Sequence, residues 1–84
     1  MIRRDYADAA YQRFRYGVRA RDHKTCKWPD CGKKRKLNVH HILPWQNFPL
    51  LRYEVSNGIT LCNTHHKQVT GHELTYAKFL SSLI

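Results

Sequence analysis

Eighty-four residues make one small domain, a size at which a hydrophobic core alone supplies little net stability, so a staple such as a bound metal is expected. Fifteen Lys and Arg against six Asp and Glu leave a net charge of +9, which favours a polyanion as partner through release of condensed counterions. No apolar run approaches the length needed to cross a bilayer and the N-terminus is charged rather than signal-like, so a soluble, cytoplasmic protein with no membrane partner is expected.

In chain order, a first helix is predicted from about Asp5 to Ala20. There Ala7, Ala9, Ala10, Tyr11, Phe14 and Val18 recur at helical spacing, with Arg13, Arg15 and Arg19 on the other face. Residues 25–36 contain Pro29, Gly32 and the basic run Lys33-Lys34-Arg35-Lys36, and read as a turn-rich loop. Leu37 to Ile42 reads as a short strand ended by Pro44. Residues 46–57 follow as a loop with one helical turn around Leu50 to Arg52. Gly58 to Leu61 is a second short strand. A helix then starts at about Asn63, runs to about Val69 and is broken by Gly71. Leu74, Ala77, Phe79, Leu80 and Leu83 give helical spacing to a last segment, Glu73 to Leu83. The order strand, loop, strand, helix, with a helix at each end, predicts a small α+β fold.

Three cysteines cannot form a complete disulfide framework, and six histidines are many for so short a chain. Cys26 and Cys31 are separated by four residues, Cys62 and His65 by two. Structural zinc takes four tetrahedral N or S ligands, commonly from two close pairs. Cys26, Cys31, Cys62 and His65 meet that count with no cysteine left over. The alternatives are a Cys26–Cys31 disulfide, which would strand Cys62 and is disfavoured in an intracellular setting, or buried free thiols. His40 and His41 end the first strand, where neighbouring side chains point to opposite faces, so the pair would not serve one ion together.

The segment from Cys26 to His66 resembles the HNH (ββα-metal, or His-Me finger) endonucleases. Its first element is His40-His41 before Ile42 and Pro44. The middle Asn is Asn57, sixteen residues after His41, and the last His is His66, nine residues after Asn57. Zinc-containing members interleave Cys pairs with this motif in the same order, and the two patterns interlock here. The resemblance implies a nuclease domain with a ββα-metal fold and a zinc knuckle, its motif core about 22–70 within a single domain over residues 1–84; the flanking terminal helices lie outside the motif. It implies that His40 and His66 hold a catalytic divalent cation, that His41 is the general base, and that Asn57 braces the loop and helps orient it. The family's closing knuckle is Cys-x2-Cys where this chain has Cys62-x2-His65. We assign His65 to zinc and His66 to the catalytic cation, the exchange of the two being the alternative.

The residue types suit phosphodiester hydrolysis on their own chemistry. A neutral histidine is a suitable general base at cellular pH, and one divalent cation with open positions can neutralise the phosphate and stabilise the leaving oxygen. Mg²⁺ or Mn²⁺ is expected, although imidazole also accepts Ni²⁺ or Zn²⁺. Arg19, Arg21, Lys33, Lys34, Arg35, Lys36 and Lys67 are the candidate phosphate contacts on DNA, against a merely solvated basic surface. Trp28, Trp45, Phe48 and Tyr53 could stack on bases, but in so small a domain are better read as core. Short HNH proteins of this kind resemble those of bacteriophages and mobile elements, which act with packaging or transposition partners. A monomer would nick and a homodimer could cut both strands. The rival reading is a non-catalytic zinc-knuckle DNA-binding module, and a weaker one is an adaptor that uses exposed aromatics; neither needs the full set His40, His41, Asn57 and His66.

Overall fold

The computed structural model describes residues 8–84. Helix α1 (Ala9–Arg21) begins where the extended Asp8 accepts a hydrogen bond from the Ala10 N–H at 3.0 Å, satisfying one of the free donors of the first turn. Residues 5–7 of the expected helix lie outside the described residues. α1 ends at Asp22, after which His23 and Lys24 take left-handed conformations at φ 55° and 50° and turn the chain away. Tyr11, Phe14 and Val18, at i, i+3 and i+7, form its buried stripe.

Strands β1 (Leu37–His41) and β2 (Gly58–Cys62) pair antiparallel, with Leu37 opposite Cys62 and His41 opposite Gly58. Helix α2 (Asn63–Val69) follows β2 directly, and α3 (Glu73–Ser81) follows a turn at Gly71, whose φ of 87° suits glycine. The strand expected to reach Ile42 stops at His41, because the Ile42 N–H donates to the carbonyl of Asn57 (2.8 Å) at the mouth of the long loop. That loop holds two 3-10 turns, Pro49–Leu51, one residue ahead of the expected turn, and Val55–Asn57, which the sequence did not announce.

Every residue of β2 is buried, since α1 covers one face of the hairpin and α2 and α3 the other. Tyr11, Phe14 and Val18 pack with Val39 and Val55 on the α1 side. Ile42, Ile59, Leu61, Val69 and Leu80 form the second cluster, together with Cys26 and Cys62. Gly58 is where α1 lies closest: a Cβ there would stand 2.5 Å from Val18 Cγ2 and 2.8 Å from Phe14 Cζ. The sheet is therefore a thin hairpin sandwiched by helices, the small α+β fold with a ββα core that the element order predicts.

Candidate functional site: a sulfur cluster and a histidine cavity

Cys26 and Cys31 are presented by a tight turn in which the Cys26 N–H donates to Lys33 O (2.8 Å) and the Cys31 N–H to Trp28 O (3.1 Å). Asp30 and Gly32, at φ 63° and 66°, supply the left-handed residues the turn requires. Cys62 closes β2, and His65 sits one helical turn on, in α2. The ligand atoms of these four residues all lie within 4.8 Å of one another. Cys31 Sγ is 3.9 Å from Cys62 Sγ, and His65 Nδ1 is 3.6 Å from Cys26 Sγ and 3.3 Å from Cys62 Sγ. Tetrahedral zinc with Zn–S of ~2.3 Å and Zn–N of ~2.0–2.1 Å requires S···S of about 3.8 Å and S···N of about 3.6 Å. The cluster fits that ion, and its cysteines are free thiols, not a disulfide.

The surroundings of the cluster act on its ligand atoms in different directions. Burial lowers the pKa of His65, and the positive Lys33 adds to the effect, so the ring is held neutral as a metal ligand must be. Burial pushes the Cys26 thiol up to about 11, against the backbone N–H groups that favour its thiolate. Cys62 is also opposed by burial, yet hydrogen bonds led by the His65 N–H bring its pKa below the ordinary value. Trp28 stacks on the His65 ring at 4.7 Å and 5°, with Phe79 against the edge of Trp28 at 5.3 Å. Trp28, half-buried, thus belongs to the support of the cluster; Trp45 is buried as the core reading expects, whereas Tyr53 is exposed.

The alternation of β1 sends its two histidines to opposite faces. His40, opposite Ile59, turns toward α2, where its ring centre lies 5.6 Å from that of His66, with the planes at 72°. His41, opposite Gly58, turns toward α1 and stacks on Phe14 at 4.8 Å and 14°. All three histidines nevertheless border one cavity of about 320 Å³, whose remaining wall includes Trp45, Thr70 and Glu73. Burial lowers the pKa of His66, while Glu73 acts in the opposite direction. Two imidazoles sharing one ion at N–metal distances of ~2.0–2.1 Å place their ring centres roughly 4.5–6 Å apart, so His40 and His66 fit a shared cation.

Two contacts set the orientation of His41. Its Nε2 lies 2.8 Å from the carbonyl of Arg52, which can only accept, so Nε2 carries the proton and Nδ1 the lone pair of the neutral ring. The loop bearing Arg52 is tied by the buried Asn57 side chain. Asn57 Oδ1 accepts from the Leu43 N–H at 2.9 Å, and its Nδ2 donates to Leu43 O and Leu51 O at 3.2 Å each. Asn57 thus acts on the position of His41 through the loop that carries Arg52 O.

The basic residues separate into two groups and one exception. Lys33, Arg35, Lys36 and Lys67 border one open groove at the start of α2, with Lys34 beside it bonded to Thr25 Oγ1 at 2.9 Å. Arg19 lines a different groove with Arg15 and Lys24. Arg21 departs from the expected phosphate contact. Its guanidinium donates to both carboxylate oxygens of Asp22 (2.8 and 2.9 Å), to Val55 O (2.8 Å) and to Gly58 O (2.6 Å), so it is consumed in fastening α1 to the hairpin. Asp22, itself buried, also accepts from the Thr60 N–H at 2.9 Å.

Phe14, the Arg52 carbonyl and Glu73 are site groups that the sequence pattern did not mark. Phe14 reads there only as a core residue and a carbonyl leaves no signature; for Glu73, its place just past the Gly71 break that follows the helix of His66 was the available signal.

Comparison with known proteins adds one finding. Residues 24–71 match the family model described as HNH endonuclease, which is more than half of the chain. No curated protein and no solved structure matches the chain.

Proposed function

This chain belongs to the HNH endonuclease family, and from that membership we propose that it is a divalent-metal-dependent nuclease that hydrolyses DNA phosphodiester bonds. The observation that carries the reading is the gathering of His40, His41 and His66 around one cavity, apart from the sulfur cluster. A zinc-knuckle binding module would need the cluster and the basic groove but has no use for that cavity.

In this reading His41 Nδ1 takes a proton from the attacking water while its Nε2–H remains on Arg52 O, so the imidazolium that forms is still held by a carbonyl dipole. Phe14 fixes the plane of the ring, and Asn57 holds the Leu43–Leu51 loop so that Arg52 O stays in place. His40 and His66 hold a cation, Mg²⁺ or Mn²⁺, which when bound would neutralise the phosphate and stabilise the departing oxygen. Cys26, Cys31, Cys62 and His65 hold a zinc ion whose part is to fasten the knuckle to β2 and α2. The groove of Lys33, Arg35, Lys36 and Lys67, with Lys34 beside it, contacts backbone phosphates and carries little base specificity, and Arg19 in its separate groove offers a further phosphate contact. One histidine cavity among the described residues makes nicking the action of a single copy.

The test is incubation of purified protein with supercoiled plasmid and Mn²⁺ or Mg²⁺, with and without EDTA. Metal-dependent relaxation of the plasmid is expected. Binding to DNA without cleavage under any divalent cation would leave the binding-module reading in its place.

A further inference from the structure

Two imidazoles are an incomplete set for a hard cation. Nitrogen pairs suit Ni²⁺ and Zn²⁺, whereas Mg²⁺ and Mn²⁺ are held mainly through carboxylate and other oxygen donors. The cavity between β1 and α2 therefore needs an anionic oxygen if it is to work with the cations proposed above. Among the described residues bordering it there is one carboxylate, that of Glu73, at the first position of α3.

Position and environment both favour a role for that side chain in the cavity. Gly71 turns the chain sharply after α2, and the His72 N–H donates to Val69 O at 2.9 Å. The turn brings the start of α3 back beside the helix that carries His66. Glu73 is partly buried and borders the same cavity as His40 and His66. Thr70, which also borders the cavity, has its hydroxyl donating to His66 O at 2.6 Å.

We propose that Glu73 is the third protein ligand of the catalytic cation, joining His40 and His66 across the cavity and giving the site its competence for Mg²⁺ and Mn²⁺. The inference rests on the proposed function, since it assigns a ligand to that same cation. It also reduces the charge of the bound centre by one, leaving net positive charge to face the phosphate. An acidic residue in the first turn of a helix also favours the helix dipole, so the test must separate the two roles.

Zinc-loaded wild type, Glu73→Gln, His66→Ala, His40→Ala and, as a control for net charge alone, Glu54→Gln are titrated with Mn²⁺ and with Ni²⁺ by calorimetry. Their melting temperatures are measured without added divalent cation. Glu73→Gln is expected to weaken Mn²⁺ binding on the order of 10–100-fold, Ni²⁺ binding less, with melting unchanged and Glu54→Gln like wild type. Wild-type Mn²⁺ affinity in Glu73→Gln, with His66→Ala and His40→Ala impaired, would overturn the assignment of Glu73 and leave the cation site standing. If the two histidine variants also bind Mn²⁺ like wild type, the site itself is misplaced and the proposed function loses its cation together with Glu73. A lowered melting temperature in Glu73→Gln with unchanged Mn²⁺ affinity would make Glu73 a helix-start residue and likewise overturn the proposal.

Discussion

His65 and His66 are consecutive in α2 yet face different centres: His65 Nδ1 lies 3.3 Å from Cys62 Sγ, whereas the His66 ring lies 5.6 Å from that of His40. Adjacent residues diverge by about 100° around a helix axis, and α2 stands between the sulfur cluster and the histidine cavity, so one helix serves both. The two substitutions should therefore fail differently. Wild type should hold one tightly bound zinc by elemental analysis. His65→Ala should lose that zinc and melt at a lower temperature, because metal binding and folding are coupled in so small a domain. His66→Ala should keep its zinc and its melting temperature and lose cleavage. Loss of zinc from His66→Ala, with zinc and cleavage kept in His65→Ala, would exchange the two roles.

Asn57 is expected to matter for both stability and rate. Asn57→Ala leaves the half-buried Leu43 N–H without its acceptor, at a cost of about 1 kcal/mol, and frees the loop that carries Arg52 O. Asn57→Asp should not rescue it, since a carboxylate oxygen would then face the carbonyls of Leu43 and Leu51, which now accept from Nδ2. Both variants should melt earlier and turn over more slowly while Mn²⁺ affinity, read by calorimetry, stays near wild type. Unchanged melting in Asn57→Ala would show that the loop does not depend on this side chain.

Much of the fold was legible because its signals are local. The 3.6-residue stripe of Tyr11, Phe14 and Val18, the Gly71 break and the Cys26–Cys31 and Cys62–His65 pairs are each written within a few residues. Contacts between distant segments left no such trace. The stacking of Phe14 on His41 and of Trp28 on His65 arises only when α1 and the knuckle close over the hairpin. Arg21 was misread for the same reason. An arginine on a basic helix looks like a phosphate ligand until Val55 O, Gly58 O and Asp22 are seen around its guanidinium.

That reassignment separates Arg21 from the basic groove. Arg21→Lys, which cannot reproduce a fork spanning four acceptors, should lower the melting temperature and leave the salt dependence of DNA binding unaltered. Lys33→Ala or Lys36→Ala should do the reverse, each reducing the slope of log K against log salt by about one unit while stability holds. Fluorescence anisotropy with a labelled duplex at several salt concentrations measures both. A reduced slope for Arg21→Lys in a protein of unchanged stability would return that residue to the DNA interface.

The central claim is that His41 is the base of a hydrolytic site, and cleavage of supercoiled plasmid by His41→Ala in Mn²⁺ tests it most directly. The ring stacks on Phe14 and its Nε2 is held by Arg52 O, so the substitution removes a proton acceptor from an otherwise intact cavity. Zinc content, Mn²⁺ affinity and DNA binding serve as the controls for folding. A nicking rate lowered ~10²–10⁴-fold is expected, with those three properties retained. Nicking by His41→Ala at the wild-type rate would contradict it.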